Sequence, residues 1–235
     1  MSRSNPPPKQ PPSRDTITGV ILAGGRGRRL GGVDKGLVEH RGRPLVEWVL
    51  ETLRPQVGGI VINANRSQDR YRTYGWPVIS DRLEGFQGPL AGIAGALATV
   101  STPWIMTLPC DGPDPPADLA ARLCAALTEP VLLLASTPDG APTVRPATPD
   151  ESGGQEAVIA VASDGRVQPV HALIPRALRA DLEAFLAGGG RRVDQWYARH
   201  RTAVADFSDQ PEAFVNINTA ADAAQDAAAR RRSGS

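Results

Sequence analysis

Residues Thr16 to Leu37, TITGVILAGGRGRRLGGVDKGL, restrict the fold more than any other stretch of the chain. Ile17 to Leu22 is a short apolar run rich in β-branched residues, which predicts a strand buried on both faces. The run breaks into Ala23-Gly24-Gly25-Arg26-Gly27-Arg28-Arg29-Leu30-Gly31-Gly32, followed by Asp34 and Lys35. Glycines such as Gly24 and Gly25 let backbone amides approach an anion closely, and Arg29 and Lys35 add fixed positive charge. A buried strand feeding such a loop is how an α/β protein holds phosphates at the carboxyl end of its sheet. The stretch therefore predicts a nucleotide-phosphate site.

Two common phosphate motifs fail on spacing. A P-loop needs Ser or Thr directly after its lysine, and Lys35 is followed by Gly36. A dinucleotide fingerprint starting at Gly25 and Gly27 would need its third glycine at position 30, where Leu30 stands. The pattern that does match is L-A-G-G-x-x-x-R-x-G-x-x-x-K, from Leu22 to Lys35, the signature loop of nucleotidyltransferases. The whole run Leu22 to Leu37 resembles the molybdenum cofactor guanylyltransferases (the MobA family).

The rest of the chain is consistent with one α/β domain. Its 235 residues suffice for a substantial core, and a net charge of +1 favours neither nucleic acid nor a membrane surface as partner. Cys110 and Cys124 are too few for a disulfide framework, and no apolar run reaches membrane-spanning length. The expectation is a cytoplasmic protein. Residues 1–15 and 230–235 read as disordered tails around a single domain at 16–229, with a nucleotide half at about 16–135 and an acceptor half at about 136–229.

In order, the spacing predicts a helix from Pro44 to Leu53, a strand at Ile60–Ile62 leading to Asn63, and an irregular connection at Tyr71–Trp76. A short strand then ends at Ser80-Asp81, a small-residue helix runs from Pro89 to Ala98, and a strand from Trp104 to Leu108 leads to Pro109-Cys110-Asp111. A helix (Ala117–Leu127) and a buried strand (Val131–Ala135) follow. The expected fold is three-layered, a mostly parallel twisted sheet with helices on both faces. Ser136 to Gln155 reads as a mobile excursion, and strands at Ala157–Val161 and Val167–Ile174 as a small antiparallel addition at the distal half of the sheet. Helices at 175–186 and 191–197, extended segments at 202–205 and 214–218, and a helix at 219–229 complete the reading.

Among candidate site residues, Asp111 stands out. A carboxylate just past a buried strand, opposite a phosphate loop, suits Mg²⁺, which takes one or two carboxylates plus phosphate oxygens and water. Asp114 reads as a helix cap, Cys110 as buried filler, and His171 as a satisfied structural histidine rather than a general base. Asn216 and Asn218 alternate with Val215 and Ile217, so an extended strand would present both amides on one face to a polar heterocycle. Arg191 and Arg192 follow a glycine turn and suit either an acceptor phosphate or a solvated surface.

The resemblance continues through Val61–Arg66, Ile79–Asp81 with Gly88–Gly92, Pro109–Asp111, Gly190–Val193 and Phe214–Thr219. It implies GTP binding by Leu22, Ala23, Gly24, Lys35, Asn63, Asp81 and Asp111, with Asp111 also on Mg²⁺, and molybdopterin binding by Asn216 and Asn218. It implies GTP and the molybdenum cofactor as substrates, and it allows transient contact with cofactor-synthesis or recipient molybdoenzyme proteins. Departures from the family pattern are Leu30 in place of methionine, Gln168 in place of histidine, and a long Pro/Gly-rich stretch at 137–155. The readings outside this one are a nucleotidyltransferase using CTP or a sugar or polyol phosphate, a non-catalytic GTP-binding delivery module, and a nicotinamide-dependent oxidoreductase.

Overall fold

A computed structural model describes residues 12–23, 25, 33–82, 88–137, 141–151, 156–162, 166–217 and 222. The predicted helix at 219–229, and Gly24, Arg29 and Asn218 among the site residues, lie outside that description.

Four parallel strands form the part of the sheet that carries the site. They are β1 (Ile17–Leu22), β4 (Gly59–Asn63), β5 (Val78–Ile79) and β6 (Trp104–Pro109), ordered β5-β4-β1-β6. Leu22 is in register with Asn63 on one side and Pro109 on the other, and Asn63 with Ile79. All four strands therefore end at one edge of the sheet, each delivering a predicted site residue there. Alternation along β1 sends Ile17 and Ile21 to one apolar core and Val20 to the other, as a strand buried on both faces requires.

The first core is closed by α1 (Leu45–Leu53) and α4 (Leu119–Thr128), through Val46, Val49 and Leu53 from α1 and Leu119, Leu123 and Leu127 from α4. The opposite core is closed by α3 (Pro89–Thr99), α5 (Arg179–Ala187) and α6 (Val193–Tyr197). Every residue of α3 from Leu90 to Leu97 is buried. Its Gly and Ala residues have no bulk to hold the helix away from the sheet. The three layers match the sequence expectation.

Four details differ from it. First, the antiparallel addition expected in the distal half is there but is larger than the two predicted strands. β10 (Val167–Pro175) inserts directly beside β6, with β9 (Ala157–Ala162), β11 (Thr202–Phe207), β7 (Leu132–Ser136) and β8 (Pro142–Pro146) following in the nine-stranded sheet. Only β10 and β7 run against the other strands. Second, the stretch read as a mobile excursion contains β8, paired residue by residue with β7 from Leu132↔Pro146 to Ser136↔Pro142. Its two prolines sit at the ends of an edge strand, where a missing N–H costs no ladder bond. The neighbouring β7 is correspondingly less buried than predicted; only Leu133 is fully covered, and Val131 is 77% exposed.

Third, part of the irregular connection before β5 is a short helix, α2 (Gln68–Arg72), which buries Tyr71 completely. Fourth, Phe214 to Ile217 is no strand. A single 3-10 turn, Pro211–Phe214, is followed by irregular backbone. At the amino end a 3-10 turn, Arg14–Thr16, extends ordered structure into the expected tail, with Arg14 Nε donating to Pro55 O at 3.1 Å. A hairpin of β2 (Glu39–His40) and β3 (Arg43–Pro44) precedes α1, and its turn residues Arg41 and Gly42 have φ of +50° and +77°.

Candidate active site

The site grows from the strand ends. Ala23 N donates to Asn63 O at 2.8 Å and Cys110 N to Leu22 O at 3.2 Å, so the three chains stay laced together one residue beyond the strands. Lys35 begins a single 3-10 turn, Lys35–Leu37, on the far side of the glycine-rich loop. Its Nζ lies 3.0 Å from Asp111 Oδ2, with the two side chains 26% and 16% exposed. A half-shielded pair at a sheet edge keeps a fixed positive charge and a carboxylate beside one another and within reach of a ligand.

Asn63 and Asp81 also meet. Asn63 is 2% exposed, and its Nδ2 donates to Asp81 Oδ1 at 3.0 Å. Asn65 completes the cluster, donating from Nδ2 to Asp81 Oδ2 at 2.8 Å and accepting the Asp81 backbone N–H on Oδ1 at 2.8 Å. Helix α3 starts directly against this group. A Cβ on Gly92 would lie 2.4 Å from Asn63 Oδ1 and 2.9 Å from Leu22 Cδ2, so only glycine lets the helix approach.

From the C-terminal half, Ile217 N donates to Asp111 O at 2.8 Å. Ile217 packs with Leu45 and Val38 beside the β2–β3 hairpin, and Asn216 Oδ1 lies 3.4 Å from where a Gly112 Cβ would be. Leu22, Ala23, Lys35, Asn63, Asp81, Asp111 and Asn216 thus converge on one edge. Gly25 is exposed, with open space around its α-carbon.

Several sequence readings change. Val215, 49% exposed, and Asn216, exposed next to it, belong to no strand, and the backbone is joined to Asp111 through Ile217 rather than by a ladder; the pairing of Asn216 with Asn218 on one face lies outside the described residues. Arg191 and Arg192 are engaged locally. Arg191 Nη1 donates to Leu186 O at 2.7 Å and Gly190 O at 2.5 Å, at the end of α5, while Arg192 pairs with Asp194 in the first turn of α6. Among the described residues neither hydrogen-bonds with Lys35, Asp111 or Asn216. Asp114 does not cap a helix: its Oδ2 takes Arg41 Nη2 at 2.5 Å, which ties the β2–β3 hairpin to the Asp111 loop. Cys110 is buried as expected, and burial pushes its thiol far above the ordinary range.

His171 is buried with the Phe214 ring edge-on at 4.9 Å, and its Nδ1 has no hydrogen bond among the described residues, so it is structural but not fully satisfied. Burial lowers the imidazole from an ordinary 6.5 to about 3. Between those values the unfolded chain binds a proton that the folded chain does not, so stability rises with pH there and falls on acidification. Between pH 7 and about pH 5 this histidine is expected to cost the wild type about 2 kcal/mol, from 1.36 kcal/mol per pH unit below 6.5. Urea unfolding of His171→Gln should lack that share of the acid loss. An identical loss in both proteins would contradict this.

The sequence reading did not single out Asp34, Asn65, Arg66 or Tyr71 as site residues. Asp34 is 8% exposed, receives the Tyr71 hydroxyl on Oδ1 at 2.6 Å, and lies 3.8 Å from Arg66 Nε. The one local signal was the carboxylate directly before Lys35.

Comparison with known proteins decides the family. Residues 19–203 match the model of the MobA-like NTP transferase domain. The chain belongs to the MobA-like NTP transferase family. A relative from Shewanella halifaxensis, named molybdenum cofactor guanylyltransferase, is 46% identical over 86% of this chain and 90% of its own length. One of the same name from Cupriavidus necator is 44% identical over 88% of this chain and 94% of its own. The fold is similar to that of molybdopterin-guanine dinucleotide biosynthesis protein A from Archaeoglobus fulgidus (TM-score 0.64, 22% identity, 88% of this chain and 95% of that one). It is similar, too, to 4-diphosphocytidyl-2C-methyl-D-erythritol synthase from Anaerococcus prevotii (TM-score 0.63, 14% identity, 92% and 96%). The family is one of nucleotidyltransferases.

Proposed function

We propose that this protein transfers GMP from GTP to the terminal phosphate of molybdopterin, forming the guanine dinucleotide cofactor and releasing pyrophosphate. The observation that carries the reading is the Lys35–Asp111 pair at the common edge of β1, β4 and β6, in a chain 44–46% identical to molybdenum cofactor guanylyltransferases.

In the proposed reaction an oxygen of the acceptor phosphate attacks the α-phosphorus of GTP, a P–O bond forms, and the bond to the bridging oxygen of pyrophosphate breaks. The acceptor oxygen is already anionic, so no general base is required. Lys35, Arg29 and the amides of Gly24 and Gly25 neutralise charge on the triphosphate; Asn63 and Asp81 hold the nucleoside; Leu22 and Ala23 line its entry. Asn216, and Asn218 beyond it, orient the acceptor pterin. The carboxylate of Asp111 suits Mg²⁺: it lies at the strand edge beside Lys35, with Oδ2 paired to that ammonium at 3.0 Å and the side chain still partly exposed. That is the donor set of an ion completed by substrate oxygens and water. Mg²⁺, when bound, supplies charge neutralisation between the phosphates. Arg191 and Arg192 would meet an acceptor phosphate only on releasing their local partners, the end of α5 and Asp194.

The protein is proposed to act in the cytoplasm and to meet cofactor-synthesis or recipient molybdoenzyme proteins transiently. Among the described residues no helix is long and apolar enough to cross a membrane. The test is pyrophosphate release with Mg²⁺ and each of GTP, CTP, ATP and UTP, with and without molybdopterin. Release requiring GTP and molybdopterin together is expected. Release with CTP alone would retain the chemistry and change the nucleotide, and silence with every triphosphate despite GTP binding would leave a delivery module.

A further inference from the structure

A lysine has four rotatable bonds, and holding its ammonium in one place costs up to about 2 kcal/mol of side-chain entropy. The backbone beneath Lys35 is a single 3-10 turn, too short to hold itself. Its rigidity is supplied from the connection between β4 and β5. Tyr71, fully buried in α2, donates its hydroxyl to Asp34 Oδ1 at 2.6 Å, the short distance of a hydrogen bond to a carboxylate. Burial, with Cys110 and Asp34 alongside, pushes the phenol far above its ordinary range, so it stays a donor. Arg66 Nη2 donates to Val33 O at 2.8 Å on the same side.

The same hydroxyl also touches the residue after Lys35. A Cβ on Gly36 would lie 2.5 Å from Tyr71 Oη and 3.3 Å from Cys110 Cβ. One buried oxygen thus contacts the residues on both sides of Lys35, and the lysine side chain leaves that turn to reach Asp111.

We propose that Tyr71 is a positioning residue for nucleotidyl transfer: through Asp34 and Gly36 it sets the turn that delivers Lys35 to Asp111 and the bound triphosphate. The proposal rests on the reading of Lys35 as a triphosphate ligand.

The test is a double-mutant cycle on pyrophosphate release with GTP and molybdopterin, using Tyr71→Phe, Lys35→Ala and the pair, with unfolding midpoints measured alongside. Tyr71→Phe keeps the ring and removes only the hydroxyl. It is expected to lower kcat/KM for GTP by about tenfold, the scale of one hydrogen bond to a charged group. With Lys35→Ala already present, the same change should alter the rate by no more than about twofold, because an effect that acts through Lys35 disappears with it and what is left is the ordinary scatter of additivity. Gly36→Ala, which displaces the hydroxyl instead of deleting it, should repeat this dependence on Lys35 and serves if Tyr71→Phe folds poorly. An equal loss in both backgrounds, or none in either, would overturn the role of Tyr71. Wild-type turnover in Lys35→Ala would overturn the site reading and this proposal with it.

Discussion

Asp111→Ala is expected to lower turnover by about a hundredfold or more, the loss seen when a preorganised electrostatic group is removed from a transition state. Asp111 does two separable things. Its backbone carbonyl accepts from Ile217 at 2.8 Å and so ties the Asn216 segment to the site, a role any side chain preserves. Its carboxylate pairs with Lys35 at 3.0 Å, and that role disappears in the variant. Alanine therefore leaves the wall of the site in place while removing the charge. Asp111→Asn keeps the shape as well and should lose nearly as much activity, because a neutral amide is a poor ligand for Mg²⁺. Binding of GTP without metal should weaken far less than turnover does. Near-normal turnover in either variant, measured by pyrophosphate release at saturating substrates, would refute the metal-binding role.

The largest expected effect on stability is distant from the chemistry. Trp196→Ala should cost about 3–5 kcal/mol, the range for emptying a buried aromatic site. Trp196 is fully buried in the core under α5 and α6, with ring centroids 5.2 Å from Tyr197 and 5.3 Å from His200. Its Nε1 also donates at 2.9 Å to Asp181 Oδ1, which lies 3.1 Å from His200 Nε2, while Glu156 Oε2 is 3.0 Å from His200 Nδ1. The indole thus closes a polar cluster joining α5, α6 and the start of β9, and truncation empties volume and strips a donor from a shared carboxylate at once. Trp196→Phe retains most of the volume and should cost less than half as much, about 1–2 kcal/mol. Set against a typical total of about 5–15 kcal/mol, the alanine variant should unfold at a markedly lower urea concentration. A loss below about 1 kcal/mol would show that the site collapses around the missing ring.

What could be read from the sequence follows the range of the forces involved. β1, α3 and β6 were legible because burial on both faces, or tight helix–sheet contact, writes continuous apolar or small-residue runs. Lys35 and Asp111 were legible because each sits in a short motif beside such a run. β8 was not, since an edge strand with mostly exposed side chains and prolines at both ends carries no alternation. α2 was not, since only Tyr71 of its five residues is buried. The Asp34–Tyr71 bond spans 37 positions and the Arg41–Asp114 pair 73. Local rules give such residues turn or capping roles, and only the fold brings their partners to them. The strand expected at 214–218 failed in the opposite way: an alternation is present in the sequence, but the described part of the segment pairs with no strand and is joined to Asp111 by one backbone bond.

The proposed reaction is defined by which phosphorus ends on which acceptor. The most direct measurement incubates the protein with Mg²⁺, molybdopterin and GTP labelled at the α-phosphate, and follows the label by chromatography. Label is expected to move into a guanine dinucleotide product while unlabelled pyrophosphate appears in equal amount. Label recovered only in GTP, GDP or free GMP, with a verified acceptor present, would contradict the proposed reaction.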